Sequence, residues 1–171
     1  MSDFESELAA RLARNSEIAQ ERADNTEAMR EWEEQRAQRE EREAAERAEA
    51  RRSRFEELAT QLERVATQLK ESAPEQFVVR VGRTGEGDQV VARISSRVLE
   101  PARALLVELD LPDDEVLARW TSDVGGSLEM WRVMEVEDSL LTELVLQVAD
   151  QELWRSARRP PAFPGAPDLT E

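Results

Sequence analysis

Apolar positions are spread so unevenly along this chain that its two halves follow different rules. From Glu33 to Arg54 the only apolar side chains are five alanines, whereas Phe77 to Trp154 is dense in Val, Leu, Ile, Met and Trp. Any substantial core therefore draws on the second half.

The first half is built of helix formers. No proline precedes Pro74 and no glycine precedes Gly82, and the residues between are mostly Ala, Glu, Arg, Gln and Leu, which lose little on entering a helix. Ser2 followed by Glu5 has the form of a capping box that starts a helix. Ala73–Pro74 stops it, because the residue before a proline is pushed out of the α region. Asn15–Ser16 and Asp24–Asn25–Thr26–Glu27 look like internal caps where the helix would kink or fold back. Between Glu33 and Arg54, Arg36–Glu40, Arg39–Glu43, Arg42–Glu46 and Glu43–Arg47 are spaced four apart. Such pairs contribute about 0.2–0.5 kcal/mol each, so the stretch reads as a solvated spacer that needs no core.

A seam follows the spacer. Phe55, Leu62 and Leu69 recur every seven residues, with Leu58 and Val65 three residues after the first two. This a/d stripe covers two heptads, with Ser53 and Glu56 forming a second capping box at its head. Two heptads serve equally well to pair with another chain or to pack on the protein's own second half. Near the start, Phe4, Leu8, Leu12 and Ala19 are broken up by Asn15 and Arg22, and Met29 with Trp32 forms a small separate patch. Those residues lie far in sequence from any core, so a partner helix is the expected neighbour, with a hairpin folding them back onto Phe55–Leu69 as the competing arrangement. The expected interaction residues are therefore Phe4, Leu8, Leu12, Met29, Trp32, Phe55, Leu58, Leu62, Val65 and Leu69.

In the second half, residues 76–83 (QFVVRVGR) and 88–95 (DQVVARIS) are β-branched runs joined by Thr84–Gly85–Glu86–Gly87. Two glycines in four residues suit a hairpin loop. Leu105, Val107, Leu109 and Leu111 alternate with Glu108 and Asp110, predicting a third strand. Pro112 with Asp113, Asp114 and Glu115 resembles a helix start, predicting a helix through Val116, Leu117 and Trp120 to Gly125–Gly126. Leu128, Met130, Met134 and Val136 fit a fourth strand, although residues 130–134 (MWRVM) also fit a helix. A last amphipathic helix, capped by Asp138 or Ser139, would bury Leu141, Leu144, Val145, Val148 and Trp154. The fold class is thus α+β: a helical arm over 1–73, a small acidic α+β domain over 74–157, and a proline-rich flexible tail over 158–171. The tail carries an Arg158-x-x-Pro161-x-x-Pro164 pattern of the polyproline type.

Composition then removes most chemistry. The chain has no cysteine, histidine or tyrosine, and Lys70 is its single lysine beside twenty-two arginines. Thiolate nucleophiles, Cys or His metal sites and His-based triads are excluded, leaving Asp, Glu, Ser, Thr and Arg. Net charge is −15. Residues 100–153 hold three arginines against fourteen carboxylates, a balance of −11, which repels nucleic acid. Asp110, Asp113, Asp114 and Glu115 lack the alternation and central glycine of a calcium loop. No cofactor, metal or catalytic residue is expected. The amino terminus lacks the basic and apolar regions of a signal peptide and no stretch is apolar enough to span a bilayer, so the expected location is cytoplasmic. The expected function is non-enzymatic: a scaffold that oligomerises, as a homodimer through its arm, or docks a protein partner. The alternative is an acidic, antitoxin-like inhibitor of a basic nucleic-acid-binding protein.

Overall fold

A computed structural model of the chain describes residues 2–165, which divide into two compact units at Ala48/Glu49. The sequence had suggested a boundary at 73/74. The fold is α+β. A first helix, α1 (Asp3–Ser72), is followed by five strands, β1 (Phe77–Thr84), β2 (Gln89–Ser96), β3 (Arg103–Asp110), β4 (Glu115–Ser122) and β5 (Gly125–Trp131). A single 3-10 turn, α2 (Leu140–Ala149) and the short α3 (Gln151–Trp154) complete it. No helix is long and apolar enough to cross a membrane among the described residues.

In the first unit α1 is helical throughout, and neither predicted break occurs. The Ser2 hydroxyl accepts from the Glu5 amide at 3.3 Å, as a cap should. The polar residues that read as internal caps are absorbed by the helix itself: Gln20 donates to Asp24 at 3.0 Å, and the Thr26 hydroxyl donates to the Arg22 carbonyl at 2.8 Å. Hydroxyl back-bonding of this kind is tolerated inside a helix. Of the four charge pairs expected along the spacer, Arg36–Glu40 closes at 3.1 Å.

In the second unit the strands form one antiparallel sheet in sequence order, β1-β2-β3-β4-β5. Its inner face carries Phe77 and Val79, then Val90, Ala92 and Ile94, then Leu105, Val107 and Leu109, then Val116, Ala118 and Trp120, all buried. Register pairs these across the sheet, Ile94 facing Leu105 and Leu105 facing Trp120. Against them pack Phe55, Leu58, Ala59, Leu62, Val65 and Ala66 of α1 and Leu140, Leu141, Leu144, Val145 and Val148 of α2, in one core.

That packing settles what Phe55–Leu69 is for and corrects its assignment as an interaction seam. Phe55, Leu58 and Leu62 are fully buried, Val65 nearly so, and Leu69 lies against the same core. A helix laid on a sheet needs the same i, i+3, i+7 spacing as one laid on another helix, so the stripe looks identical in sequence. Nor is Ser53–Glu56 a cap. The helix runs through it, and Glu56 and Glu63 instead hold Arg83 of β1 at 3.2 and 2.8 Å. Arg54 donates to the Val136 carbonyl at 2.7 Å and meets Asp138 at 2.8 Å. Gln61 donates to the Asp138 carbonyl and to the Thr142 hydroxyl at 2.7 and 3.0 Å. Together these bonds fix the start of α2 against α1.

Two further expectations change. The helix predicted from Pro112 is β4 instead. Asp114 adopts a left-handed φ of 51° in the β3–β4 turn, and its carboxylate accepts from the Val133 amide at 3.1 Å and lies 3.6 Å from Arg51. The sheet accordingly has five strands rather than four. The tail, expected to be free from 158, enters the core. Phe163 is buried, stacked on Trp120 at 6.2 Å and edge-on to Trp131 at 6.1 Å. Residues 166–171 lie outside the described region, whereas Arg158, Pro161 and Pro164 fall within it.

Arg103 is the one buried charged residue among the described residues. It donates to the carbonyls of Val148 and Pro101 at 3.0 and 3.1 Å and to the Gln151 side chain at 2.9 Å, and its guanidinium lies 5.4 Å from the Trp154 ring. Burial lowers its pKa from the ordinary arginine value, and the charge of Asp150 opposes the shift. The arginine clamps the C-terminal end of α2, where carbonyls need donors.

Candidate functional site

With Phe55–Leu69 enclosed, the interaction residues that stay available are those of the first unit. Phe4, Leu12, Met29 and Trp32 are 70%, 57%, 59% and 54% exposed, and Leu8 is also open to solvent. Every described residue before Ala48 is exposed. A helix of this composition keeps its backbone bonds without help, but nothing within its own unit covers these side chains. Soluble surfaces carry single apolar residues freely. A stripe of large ones along a helix face marks a place of contact.

The continuity of the helix reveals a residue and a periodicity that the sequence reading missed. Ile18 is also exposed, and Phe4, Ile18 and Trp32 are spaced by fourteen, two heptads each time. Leu8 and Met29 are spaced by twenty-one, or three heptads. Placing Phe4 at d and Leu8 at a gives one seam: Phe4, Leu8, Arg11, Asn15, Ile18, Arg22, Asn25, Met29, Trp32. It is apolar at both ends and at its centre, and polar between. The fourteen-residue interval was the available signal, hidden because the intervening d positions are Arg11 and Asn25. Trp32 is steadied by the Arg36 guanidinium, 5.5 Å above its ring, and Arg36 is held in turn by Glu40.

A second surface belongs to the other unit and was not legible from composition. The outer face of the sheet is uncovered, and register brings one row across all five strands: Arg80, Arg93, Leu106, Arg119 and Leu128. The row is about 19 Å long at ~4.8 Å per strand. No carboxylate lies within ion-pair distance of these three arginines among the described residues. Arg80 and Arg93 stand directly opposite one another, which costs stability. Arg93 and Arg119 flank a cavity of about 300 Å³, floored by Ala104 and Leu106 and edged by Ser95 and Thr121. The acidity of residues 100–153 is therefore not spread evenly over the unit.

A shallow concavity of about 860 Å³ runs along α1 from Glu49 to Arg64, and within its lining Arg54 is paired with Glu57 and Asp138. The carboxylates of Asp110 and Asp114 are engaged around the β3–β4 turn, accepting from the Asp113 and Val133 amides, and no three His, Cys, Asp or Glu side chains converge as a metal site among the described residues. No protein-family model, curated protein or solved structure matches this chain.

Proposed function

We propose that this protein is a non-enzymatic interaction protein whose helical arm pairs with another helix through the Phe4–Trp32 seam, while the α+β unit presents a separate surface to a protein partner. One observation carries the reading: a continuous helix holds Phe4, Leu8, Ile18, Met29 and Trp32 in heptad phase and leaves all five exposed. Its own unit provides no core for them, and the charged spacer that follows is helical without one. The composition supports the same conclusion from the opposite side, because the chain lacks the residue types on which most catalysis depends.

Self-association is the form of pairing favoured here, since the seam belongs to every copy. The test is sedimentation velocity on the full chain and on Phe4→Ser/Ile18→Ser/Trp32→Ser. The parent is expected to sediment as a dimer at tens of micromolar and the triple variant as a monomer. Fluorescence from buried Trp120 and Trp154 should report the same folded α+β unit in both. A parent that is monomeric alone, or a triple variant that still dimerises, would overturn homodimerisation through this seam.

A further inference from the structure

We infer that the occupant of the Phe4–Trp32 seam is a second copy of this chain, aligned parallel and in register, with Asn15 setting that alignment. The inference rests on the reading of the arm as a docking surface and goes beyond it by fixing which helix docks, and how.

The argument is one of matching layers. In a parallel two-stranded coil, a faces a and d faces d. In register, Phe4, Leu8, Ile18, Met29 and Trp32 each meet their own copy, giving five apolar layers, and Asn15 and Asn25 meet their own amides. Slipping by one heptad sets Phe4 on Arg11, Leu8 on Asn15, Arg11 on Ile18, Ile18 on Asn25, Arg22 on Met29 and Asn25 on Trp32. Every layer then mixes apolar with polar, except Asn15 on Arg22. An antiparallel pair sets a against d. One such register sets Phe4 on Met29 but puts Leu8 on Asn25, Asn15 on Ile18 and Arg11 on Arg22, and the next sets Leu8 on Trp32 and Asn15 on Asn25 but puts Ile18 on Arg22 and Arg11 on Met29. Even the two-heptad slip, which sets Phe4 on Ile18 and Ile18 on Trp32, matches only two apolar layers, and no other alternative exceeds two, against five for the in-register pair.

The in-register pair has its own cost, the like-charged layers at Arg11 and Arg22. Both are long side chains whose charges reach the edge of the seam. Arg22 at an a position lies beside Glu21 of the facing copy, and Arg11 at a d position lies beside its Asn15 amide. A buried asparagine at a favours two strands over three because its amide finds a partner only in the dimer. Phe4 and Trp32 expose about 100 Å² each, given ~150–250 Å² per aromatic side chain. With Leu8, Leu12, Ile18 and Met29 the pair covers on the order of 1,000 Å², the lower edge for a specific interface.

The chain has no cysteine, so each single-cysteine variant carries one thiol and cross-links report geometry directly. Full-length Leu8→Cys and Met29→Cys are oxidised separately and as a mixture, and the disulfides are mapped by mass spectrometry. Each variant alone should form a linked dimer, and the mixture should add no 8–29 link beyond background. A dominant 8–29 link overturns the parallel, in-register alignment. A dimer in sedimentation with no 8–8 or 29–29 link overturns the register while leaving pairing through the arm intact. A monomer in sedimentation overturns the second copy as occupant. Asn15→Ile tests the setting residue: it should tighten association and populate trimers or larger species, and an unchanged dimer would remove Asn15 from that role.

Discussion

Leu12 and Leu62 lie in the same helix and in sequence both belong to heptad-like stripes, yet truncating them should have very different consequences. Leu62 is fully buried between α1 and the sheet, whereas Leu12 is 57% exposed. Leu62→Ala removes three carbons, about 2.4 kcal/mol of transfer free energy at ~0.8 kcal/mol per carbon. Incomplete collapse of the resulting void brings the expected loss to about 3–4 kcal/mol. Leu12→Ala has no such terms and should change the stability of the α+β unit by less than ~0.5 kcal/mol. Urea titration followed through tryptophan emission is the appropriate assay, because Trp120 and Trp154 are fully buried and report the core. Far-ultraviolet circular dichroism is less suitable, since the arm contributes helical signal of its own. The midpoint should fall for Leu62→Ala with an unchanged urea slope. A loss below about 1 kcal/mol, or equal losses for the two variants, would refute the assignment of Phe55–Leu69 to the core.

Two further outcomes follow from packing and charge. Phe163→Ala should cost about 3 kcal/mol, read as a lower thermal midpoint, because the ring fills space beside Trp120 and Trp131; a negligible change would mean that the tail does not contribute to the core. Arg83→Ala should cost under ~1 kcal/mol, since the Arg83 contacts with Glu56 and Glu63 are partly solvated, and the difference from the parent should shrink in ~1 M salt. The hydrogen bond to Glu63 raises the pKa of Arg83, against desolvation. A raised pKa on a base gives stability that is fully present below the unfolded value and lost only above it, so the arginine itself should add no pH dependence between pH 6 and 9.

How much the sequence disclosed depended on whether its local pattern had one physical meaning. The first hairpin and β3 were readable because only a half-buried strand alternates as they do. The same holds for α2, whose buried positions emerged as expected. The β4 segment was not readable: Pro112 followed by three carboxylates copies a helix start, and Leu117 on the outer face blurs the alternation of Val116, Ala118 and Trp120. The determining fact is the left-handed backbone at Asp114, supported by Arg51 and Val133, which are distant in sequence. Phe163 was missed because prolines around it suggested an extended tail, and its partners Trp120 and Trp131 lie on strands whose inner face could not be assigned. The arginine row on the outer face needed cross-strand register, which no single strand contains. In the arm, the exposed residues were legible and their common phase was not.

The position of α1 relative to the meander has a consequence for the order of assembly. Each strand pairs with its neighbour in sequence, so the sheet is built from local closures. The helix that covers it is tied at Gln61 to Thr142 and at Arg54 to Val136, separations of 81 and 82 residues. Contacts of that range carry a large loop-closure cost and form late. On a growing chain, the Phe55–Ala66 stripe is therefore synthesised before everything it will touch and is covered only after α2 has emerged. Until then its apolar stripe is exposed. The helix thus carries an apolar stripe that is open early and covered at the end, and premature pairing through this transient face is the misassembly that the topology has to outrun.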